Sequence, residues 1–446
     1  MNTDQILTEE EDLLVYGYDG TAMLKEKPSC VVFPENVEQI QNILMKANRF
    51  GVPVVTRGSG TGLAGGSIPV ANGIVVCMVR MNRILDVDEK NMVMEVEPGV
   101  LTQQIADQAT SVGLFYPPDP GSIKISTIGG NVANNSGGLR GLKYGVTRDY
   151  VMALEVVLPD GRILKTGTRC VKDVAGFSLR DLFVGSEGML GIITKITLKL
   201  IPRPSAKKTM LVLFDSMTVA AEAVSLIIEN KIIPCTLEFL DRVTIQCVED
   251  YAGIGLPTDC DAVLLVEVDG HTSEVADKAD QIVSLVRSKG AREVRVAESE
   301  SEALRLASAR RTAFSALARL APTVVLEDIT VPRSKLAEMV QYINDIATRY
   351  NLRVGTFGHM GDGNLHPTFL CDERNKEEMH RVEEAMSLVF DHAIGLGGTI
   401  TGEHGVGLAK KPFLPRQLGE IGIEVMRQVK HSFDPNSILN PGKVFD

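Results

Sequence analysis

Two glycine-framed loops near the C-terminus carry three of the seven histidines in the chain. The first loop contains His359 and His366 within residues 358–367, and the second contains Glu403 and His404. The glycines and a proline disfavour a helix, so any convergence of the first two histidines must come from a loop and a strand. Two imidazoles and a carboxylate would offer three protein ligands with open positions, which suits Zn²⁺, Mn²⁺ or Fe²⁺. The alternative is that these are hydrogen-bonded loop histidines.

A second candidate site is the glycine-rich segment 56–66, which follows a strand pattern. Its five glycines permit positive φ angles and let several backbone N–H groups converge on one anion. The spacing of Gly60, Gly62 and Gly65 matches the dinucleotide fingerprint, but that fingerprint must open a helix, and here the chain returns to a strand pattern at Ile74. We interpret the segment as a loop that wraps a pyrophosphate. A flexible linker is the alternative.

Two further segments consist almost entirely of backbone and small side chains. Residues 116–121 lead into residues 127–138, for which we expect no helix or strand of useful length. Residues 185–192 are typical of a tight turn before a strand. Long structureless loops inside a domain are usually functional, and the alternative is a plain surface loop.

The spacing of apolar residues predicts the helices and strands that must position these segments. Strand and helix patterns alternate in the middle of the chain, which predicts a sheet covered by helices, and the prolines of residues 202–204 indicate a domain boundary. The predicted strands are 53–56, 74–78, 92–96, 151–158, 192–200, 210–214, 262–268 and 323–330, and the predicted helices are 37–50, 219–230, 273–289, 299–320, 335–350 and 377–396.

Composition excludes several classes of protein. The chain has 446 residues, enough for two or three domains, and a formal charge of −11, which argues against nucleic acid as a partner. No run approaches the roughly 18 apolar residues of a transmembrane segment, and the first residues do not resemble a signal peptide. Seven cysteines without a C-x-x-C motif disfavour a disulfide scaffold, a thiolate zinc site, an iron–sulfur cluster and haem. The expected compartment is the reducing cytoplasm.

Taken in order, the three glycine-rich segments resemble the vanillyl-alcohol oxidase or PCMH type of FAD-binding fold. This resemblance implies that the first loop holds the FAD pyrophosphate, that the second segment lines the flavin, and that the Gly-Ser-Glu-Gly turn lies near the isoalloxazine edge. Because the first loop contains no histidine, we expect FAD to be bound non-covalently. The implied FAD-binding residues are Arg57, Gly58, Ser59, Gly60, Thr61, Gly62, Pro118, Asp119, Thr127, Gly130, Asn131, Asn134, Ser136, Gly137, Glu187, Gly188, Ile192 and Asn440.

The two histidine loops, together with residues 234–241, resemble the FAD-linked D-2-hydroxy-acid dehydrogenases, a family with D-lactate dehydrogenases, glycolate oxidase flavoprotein subunits and D-2-hydroxyglutarate dehydrogenases. The family's metal ligands would correspond to His359, His366 and Glu403, and its catalytic base to His404. Arg310 stands where the family has the arginine of a Trp-x-x-Arg motif, although this chain has no tryptophan.

An arginine at that position could bind the substrate carboxylate. The alternative for Arg310 is an exposed helix residue. Asp362, in the first histidine loop, either forms the turn or fixes an imidazole tautomer.

The residue types fit the chemistry of this family. A 2-hydroxy acid chelates a divalent metal, which lowers the pKa of its hydroxyl group, and His404 can accept the proton while hydride passes from Cα to flavin N5. Leu326 stands where hydroxyglutarate enzymes carry lysine, so we predict D-lactate or glycolate, with D-lactate first and D-2-hydroxyglutarate third. Two alternatives are a metal-free FAD oxidase or alkyl-glycerone-type transferase on the same fold, and a non-enzymatic electron relay.

The sequence therefore predicts an α+β chain with two domains. Residues 1–204 would form a PCMH-type FAD-binding domain, and residues 205–425 an α/β substrate (cap) domain with an antiparallel sheet covered by helices, carrying the metal and catalytic loops. Residues 426–446 would return to the FAD domain. The expected electron acceptor is an electron-transferring flavoprotein, an iron–sulfur subunit or a quinone.

Overall fold

A computed structural model describes residues 1–21 and 23–445 of the chain. The chain divides into a first unit, made of Met1–Gly137, Val146–Arg203 and Glu403–Asp446, and a second unit, made of Gly138–Gly145 and Pro204–Gly402. The predicted domain division stays a prediction, and it differs from these units at residues 138–145, 204 and 403–425. Asp446, the last residue of the predicted terminal segment, lies outside the described residues.

The first unit is built on two sheets of different character. Its strands are β1 (Ile6–Leu7), β2 (Cys30–Val32), β3 (Val54–Arg57), β4 (Ile74–Cys77), β5 (Ile84–Asp88), β6 (Val93–Val96), β7 (Leu114–Phe115), β8 (Val151–Val157), β9 (Ile163–Gly167), β10 (Ile192–Lys199) and β11 (Ile201–Pro202). One sheet has the order β1-β2-β4-β3, with β2 and β3 parallel to β4, and the other is antiparallel with the order β5-β6-β10-β8-β9. Strand β3 carries the chain directly into the first glycine-rich segment.

The helices of the described residues are α1 (Glu10–Leu14), α2 (Val37–Phe50), α3 (Thr102–Ser111), α4 (Ile128–Asn134), α5 (Gly141–Tyr144), α6 (Leu179–Phe183), α7 (Met217–Glu229), α8 (Arg242–Ala252), α9 (Thr272–Ser288), α10 (Glu300–Leu317), α11 (Leu336–Arg349), α12 (Lys376–Gly395) and α13 (Leu414–Phe433). Helices α2, α7, α9, α10, α11 and α12 begin and end near the residues that the hydrophobic period indicated, and the others were not predicted. Asn36 caps α2 by accepting a hydrogen bond from the backbone N–H of Gln39, and Gly51 ends it with a φ of 65°. This local chemistry explains why the predicted helix 37–50 is confirmed.

The second unit contains one large sheet with helices against it. Its strands are β12 (Ala206–Phe214), β13 (Thr236–Asp241), β14 (Ala262–Gly270), β15 (Glu293–Val296), β16 (Thr323–Leu326), β17 (Ile329–Thr330), β18 (Arg353–Gly358) and β19 (Asn364–Cys371). They run antiparallel in the order β15-β12-β14-β13-β18-β19-β16, and β17 pairs with β19. The predicted antiparallel sheet is confirmed. Among the described residues, none of the helices is long and apolar enough to cross a membrane.

The expectation that residues 127–138 form no helix is wrong, because α4 occupies part of that segment. Glycine costs a helix about 1 kcal/mol relative to alanine, but close packing requires it here. A Cβ atom on Gly129 would lie 2.6 Å from Pro98 Cβ. The backbone N–H of Gly129 donates to Pro98 O at 2.8 Å, and Asn135 ends the helix with a φ of 54°. The tertiary contact thus overrides the local propensity.

The predicted single strand 323–330 is also wrong, because β16 and β17 are separated at Glu327 and Asp328. Asp328 is fully buried, and its carboxylate accepts a hydrogen bond from Asn364 Nδ2 at 2.6 Å. A buried carboxylate must be hydrogen-bonded, so the chain leaves the strand geometry where this side chain turns inward.

The short segment Gly138–Gly145 is held in the second unit by Asp269 of β14. Lys143 Nζ forms an ion pair with the carboxylate and donates to the Asp269 backbone oxygen at 2.8 Å. Tyr144 donates its hydroxyl to Asp269 Oδ2 at 2.7 Å. Burial, followed by the hydrogen bond to Asp269, raises the pKa of Tyr144 above its usual range. These contacts explain why the segment belongs to the second unit although it follows the predicted flavin segment.

Candidate active site

In the first unit, the first glycine-rich loop packs directly on the second predicted cofactor segment. A Cβ atom on Gly58 would collide with Thr127 Oγ1, so only glycine permits this approach. Gly60 and Gly65 have φ angles of 74° and 77°, which also favour glycine. Residues 58–66 of this segment contain no helix or strand, as predicted. The glycines of this loop therefore allow an approach of neighbouring side chains to the backbone that a Cβ atom would block.

Arg57, which stands at the end of β3, is engaged within the protein. It is 7% exposed, and its Nη1 donates to the backbone oxygen of Tyr18 at 2.5 Å. Its guanidinium also lies over the ring of Tyr16, with 5.6 Å between Cζ and the ring centroid. Burial lowers the pKa of Arg57 below its usual value, and neighbouring side chains such as Cys77 and Asp19 offset only part of this effect. The arginine thus fixes the strand end that precedes the loop.

The third predicted segment is attached to the end of α4. The backbone N–H of Gly185 donates to Val132 O at 2.9 Å, and that of Glu187 donates to Ala133 O at 2.8 Å. Glu187 and Gly188 then adopt positive φ angles of 50° and 74°. The structure therefore brings the three glycine-rich segments of the first unit together, through the packing of Gly58 on Thr127 and through the backbone hydrogen bonds of Gly185 and Glu187.

Glu187 connects this turn to the loop that follows His404. Its carboxylate oxygens accept hydrogen bonds from the backbone N–H groups of Val406, at 2.7 Å, and Gly407, at 2.8 Å. Burial raises the pKa of Glu187, and the two N–H groups lower it. In the same unit, His404 Nε2 lies 3.7 Å from Glu403 Oε1. A predicted cofactor residue therefore fixes the backbone beside the predicted base.

Three buried polar atoms of the first unit show whether its residues fit FAD as a ligand. Thr56 Oγ1, Tyr116 Oη and Asn440 Oδ1 have no hydrogen-bond partner among the described residues. A Cβ atom on Gly188 would contact both Asn440 and Thr56, so two of these atoms belong to side chains that flank one glycine. An unsatisfied buried polar group costs about 1–3 kcal/mol, and a cofactor rich in polar atoms removes that cost. These residues fit FAD.

The remaining predicted cofactor residues lie on the same three segments of the first unit. Asn131 is buried and donates to Thr102 Oγ1 at 2.6 Å, and the backbone oxygen of Ser136 accepts from Thr147. A Cβ atom on Gly137 would lie 2.9 Å from Glu403 Oε2, which places the predicted carboxylate ligand beside the second segment. Among the others, Ser59, Thr61 and Gly62 lie in the first loop, and Pro118 and Asp119 lie in the irregular segment after β7. Gly130 and Asn134 lie on α4, and Ile192 is the first residue of β10.

In the second unit, the structure brings His359 and His366 together through a loop and a strand, as predicted. His359 directly follows β18, and His366 lies on β19 opposite Phe357. The two ring centroids are 5.4 Å apart and the ring planes are nearly perpendicular, at 89°. Both side chains are buried, His359 being 4% exposed and His366 1%. Two imidazoles thus converge on one interior point of this unit.

His359 is held by a charged pair that the sequence analysis did not identify. Its Nδ1 lies 2.7 Å from Glu238 Oε1, and Arg310 Nε donates to Glu238 Oε2 at 2.6 Å. Arg310 Nη2 lies 3.3 Å from His359 Nε2. The sequence did contain a signal for Glu238, because it is a carboxylate within an apolar strand. Such a side chain is rarely buried unless it is paired with another charge.

Arg310 is not the exposed helix residue that the sequence left as an alternative. It is 6% exposed, and its guanidinium lies over the ring of Phe357 with 4.6 Å between Cζ and the ring centroid. Its predicted role as a partner of the substrate carboxylate stays a prediction. Asp362 lies in the turn after His359, where a Cβ atom on Gly141 would be 2.6 Å from Asp362 Oδ2.

His366 is held by the two residues that separate β16 from β17. Its Nδ1 lies 3.3 Å from the backbone oxygen of Glu327 and 3.8 Å from Asp328 Oδ1. Asp328 Oδ2 also accepts from Thr401 Oγ1 at 2.7 Å and from the Gly402 N–H at 2.9 Å. One buried carboxylate therefore links the His366 strand to the residue that directly precedes Glu403 in the chain, and the sequence analysis gave it no role.

Two family models match this chain. Residues 28–167 match the family described as FAD binding domain, and residues 203–444 match FAD linked oxidases, C-terminal domain. The chain is 54% identical over 432 residues to the glycolate oxidase subunit GlcD of Bacillus subtilis (strain 168), covering 97% of this chain and 92% of that protein. It is 36% identical over 445 residues to a D-lactate dehydrogenase of Anaerostipes hadrus, covering 97% and 91%.

Solved structures share the fold at low sequence identity. A p-cresol methylhydroxylase with substrate bound has a TM-score of 0.81 at 18% identity, covering 99% of this chain and 94% of that one. An alkyldihydroxyacetonephosphate synthase has a TM-score of 0.77 at 20% identity, covering 99% and 84%. The predicted PCMH-type fold is confirmed, and the chain belongs to the FAD-linked oxidases, a family of oxidoreductases.

Proposed function

We propose that this protein oxidises a small 2-hydroxy acid to the 2-oxo acid with FAD as the hydride acceptor. The observation that carries the proposal is the buried pair His359 and His366, whose rings are 5.4 Å apart and whose Nδ1 atoms both face fixed oxygen atoms of the second unit. An FAD enzyme that needs no metal has no evident use for two such imidazoles. The relatives named above support the same class of reaction.

The histidine pair fits a divalent metal such as Zn²⁺, Fe²⁺ or Mn²⁺. An imidazole that donates its Nδ1–H to an oxygen acceptor carries its lone pair on Nε2, and histidine ligands of protein metal sites usually make such a second hydrogen bond. We propose His359 and His366 as ligands, with Glu403 as the third ligand that the sequence predicts. When bound, the metal would supply Lewis acidity to the substrate hydroxyl.

His404 is proposed as the base that accepts the hydroxyl proton. A neutral imidazole has a ring nitrogen with a lone pair, so it can accept and hold this proton during the reaction. Glu187 keeps the following backbone in place through Val406 and Gly407, which limits the positions that His404 can adopt. FAD, when bound non-covalently in the first unit, would act as the electron sink.

We propose glycolate and D-lactate as the substrates. Leu326 is half-buried at the end of β16, and an apolar side chain suits a substrate without a second carboxylate. The sequence ranks D-lactate first, whereas the 54% identity to a glycolate oxidase subunit favours glycolate. We further propose that the electrons leave to a separate acceptor, namely an electron-transferring flavoprotein, an iron–sulfur subunit or a quinone.

The test is an anaerobic titration of the purified holoprotein. Glycolate, D-lactate, L-lactate and D-2-hydroxyglutarate are added separately, and loss of the visible flavin absorbance is followed. We expect reduction by glycolate and D-lactate, slower reduction by D-2-hydroxyglutarate, and loss of reduction after chelation, with recovery when Zn²⁺, Fe²⁺ or Mn²⁺ is restored. Flavin that no 2-hydroxy acid reduces contradicts the proposal, and reduction that survives complete metal removal contradicts its metal-dependent part.

A further inference from the structure

We propose that Lys443 is a positioning residue of the FAD site, whose buried ammonium group binds carbonyl oxygens at the end of the glycine-rich loop and thereby turns the N–H group of Ser67 toward the pyrophosphate of the cofactor. This inference rests on FAD as the cofactor of the proposed function, but it concerns binding of the cofactor and not oxidation of a substrate. All the residues that carry it belong to the first unit.

Lys443 is a buried cation for which the described residues provide no ion pair. It is 1% exposed, and its Nζ donates to the backbone oxygens of Gly66, at 2.7 Å, and Ile68, at 2.5 Å. An ammonium group has three donors, so one of them has no acceptor in the described part of the chain. Burial lowers the pKa of Lys443 to about 7, and the more distant carboxylates of Asp19 and Glu187 offset only part of this effect.

A second buried lysine of the same unit, Lys430, has a complete set of partners. It is 6% exposed, and its Nζ donates to Met189 O at 2.7 Å, to Leu439 O at 2.8 Å and to the carboxylate of Asp434 at 2.5 Å. A buried charge is costly unless it is paired. The unpaired charge of Lys443 therefore indicates an anion that the polypeptide does not supply, and FAD carries one in its pyrophosphate.

The carbonyl contacts of Lys443 fix the direction of one neighbouring N–H group. In a trans peptide unit the C=O and N–H bonds point in opposite directions. Because Gly66 O faces the ammonium group, the N–H of Ser67 points away from it. The second carbonyl, that of Ile68, precedes Pro69, which has no N–H. The ammonium group therefore directs a single donor, the Ser67 N–H, to the opposite face of the loop end.

The N–H of Ser67 extends a set of loop N–H groups that lack acceptors. Neither it nor the N–H groups of residues 59–62 has an acceptor within the ranges 1–21 and 23–445. A loop that offers several unpaired N–H groups suits a phosphate anion. A cation bound to the carbonyl oxygen also polarises the peptide unit, which makes its N–H a stronger donor. Lys443 thus acts through the loop and needs no contact with the cofactor.

Lys411 provides the matched control on the same C-terminal segment. Its Nζ donates to the backbone oxygen of Gly442 at 2.9 Å, so Lys411→Met also removes a contact between a lysine and a carbonyl group. That carbonyl does not belong to the glycine-rich loop. A difference between Lys443→Met and Lys411→Met therefore reports the loop contact rather than attachment of the C-terminal segment.

The first experiment is equilibrium dialysis of FAD and of ADP-ribose, which carries the pyrophosphate without the flavin ring, against the full-length apoprotein. We expect Lys443→Met to weaken the binding of both ligands by about 10- to 150-fold, the effect of losing a hydrogen bond to a charged group. Lys411→Met should bind both ligands like wild type. In wild type, hydrogen exchange of the Ser67 amide should slow when FAD binds.

The second experiment tests the charge through the pH dependence of FAD affinity. Lys443 loses its proton near pH 7 in the apoprotein, and a bound pyrophosphate favours the charged form. Wild-type affinity should therefore be constant below that pH and fall about tenfold between pH 7 and 9. Lys443→Met should lack this fall. Asp19 and Glu187, which face Lys443, and Lys410 beside Glu187 are present in both proteins, so their difference reports Lys443 alone.

Four results overturn the inference. They are equal FAD affinity of Lys443→Met and Lys411→Met, a loss of affinity for FAD but not for ADP-ribose, the same pH dependence in wild type and Lys443→Met, and Ser67 exchange that FAD does not change. If Lys443→Met does not fold, Lys443→Gln keeps a donor for one carbonyl without the charge, and the same losses are expected and the same results decide.

Failure of the proposed function is distinguishable, because no 2-hydroxy acid enters these assays. A wild-type protein that binds FAD with the expected dependence on Lys443, but whose flavin no 2-hydroxy acid reduces, refutes the proposed function and leaves this inference standing.

Discussion

Replacing Asp328 with alanine should release the backbone just before Glu403. Asp328 is fully buried, and the Gly402 N–H donates to its Oδ2 at 2.9 Å. Thr401 can rotate its hydroxyl to another acceptor, but a backbone N–H cannot. A hydrogen bond to a charged group contributes about 1.5–3 kcal/mol, so the opening free energy at Gly402 should fall by about that amount. This corresponds to amide exchange that is about 10- to 150-fold faster.

Hydrogen exchange measured by mass spectrometry on peptides that span Gly402 is the direct assay. Asp345→Ala is the control, because Asp345 is an exposed carboxylate of α11 that accepts only from Gln341 among the contacts of the described residues. Asp328→Asn keeps one acceptor oxygen and should give an intermediate rate. Exchange at Gly402 that is equal in Asp328→Ala and Asp345→Ala would refute the assignment of this carboxylate as the anchor of the loop.

Two further predictions concern the cofactor loop and the pH dependence of stability. Gly58→Ala should lower FAD affinity at least about tenfold because its Cβ meets Thr127 Oγ1, whereas Gly395→Ala, with open space around it, should bind FAD like wild type in equilibrium dialysis. Burial raises the pKa of Asp241 from 3.8 to about 6. The folded state therefore holds this proton more tightly, and stability relative to Asp241→Asn should rise by about 2 kcal/mol as the pH falls from 6 to 4, as measured by urea unfolding. A flat difference over that range, or equal FAD affinity of the two glycine variants, would contradict these assignments.

Sequence patterns predicted the helices and loops whose ends are determined by neighbouring residues in the chain. Helix α2 has an asparagine cap and a glycine end, and both signals are visible in the sequence. The strand-and-loop placement of His359 and His366 followed from the glycines and the proline that exclude a helix. The glycine loop at residues 56–66 was predicted for the same reason, since glycines that open no helix leave backbone N–H groups exposed.

Features that depend on distant packing were missed. Helix α4 forms because Gly129 packs against Pro98, and the sequence does not show which residues a glycine will face. Glu238 and Asp328 were visible only as acids within apolar runs. Their partners, Arg310 and Asn364, are 72 and 36 residues away in sequence, so the pairings required the sheet order. Buried charges in strands are thus the signal that the sequence analysis underused.

The most direct test of the central claim is the rate at which a deuterated substrate reduces the bound flavin. Holoprotein is mixed anaerobically with glycolate or D-lactate that carries either hydrogen or deuterium at C2, and the loss of flavin absorbance is timed. Hydride transfer from C2 to FAD predicts slower reduction with the deuterated acid, and no reduction in His404→Ala. Two results would contradict this mechanism: equal rates for the two isotopic forms under conditions where hydride transfer limits the rate, or flavin that neither acid reduces.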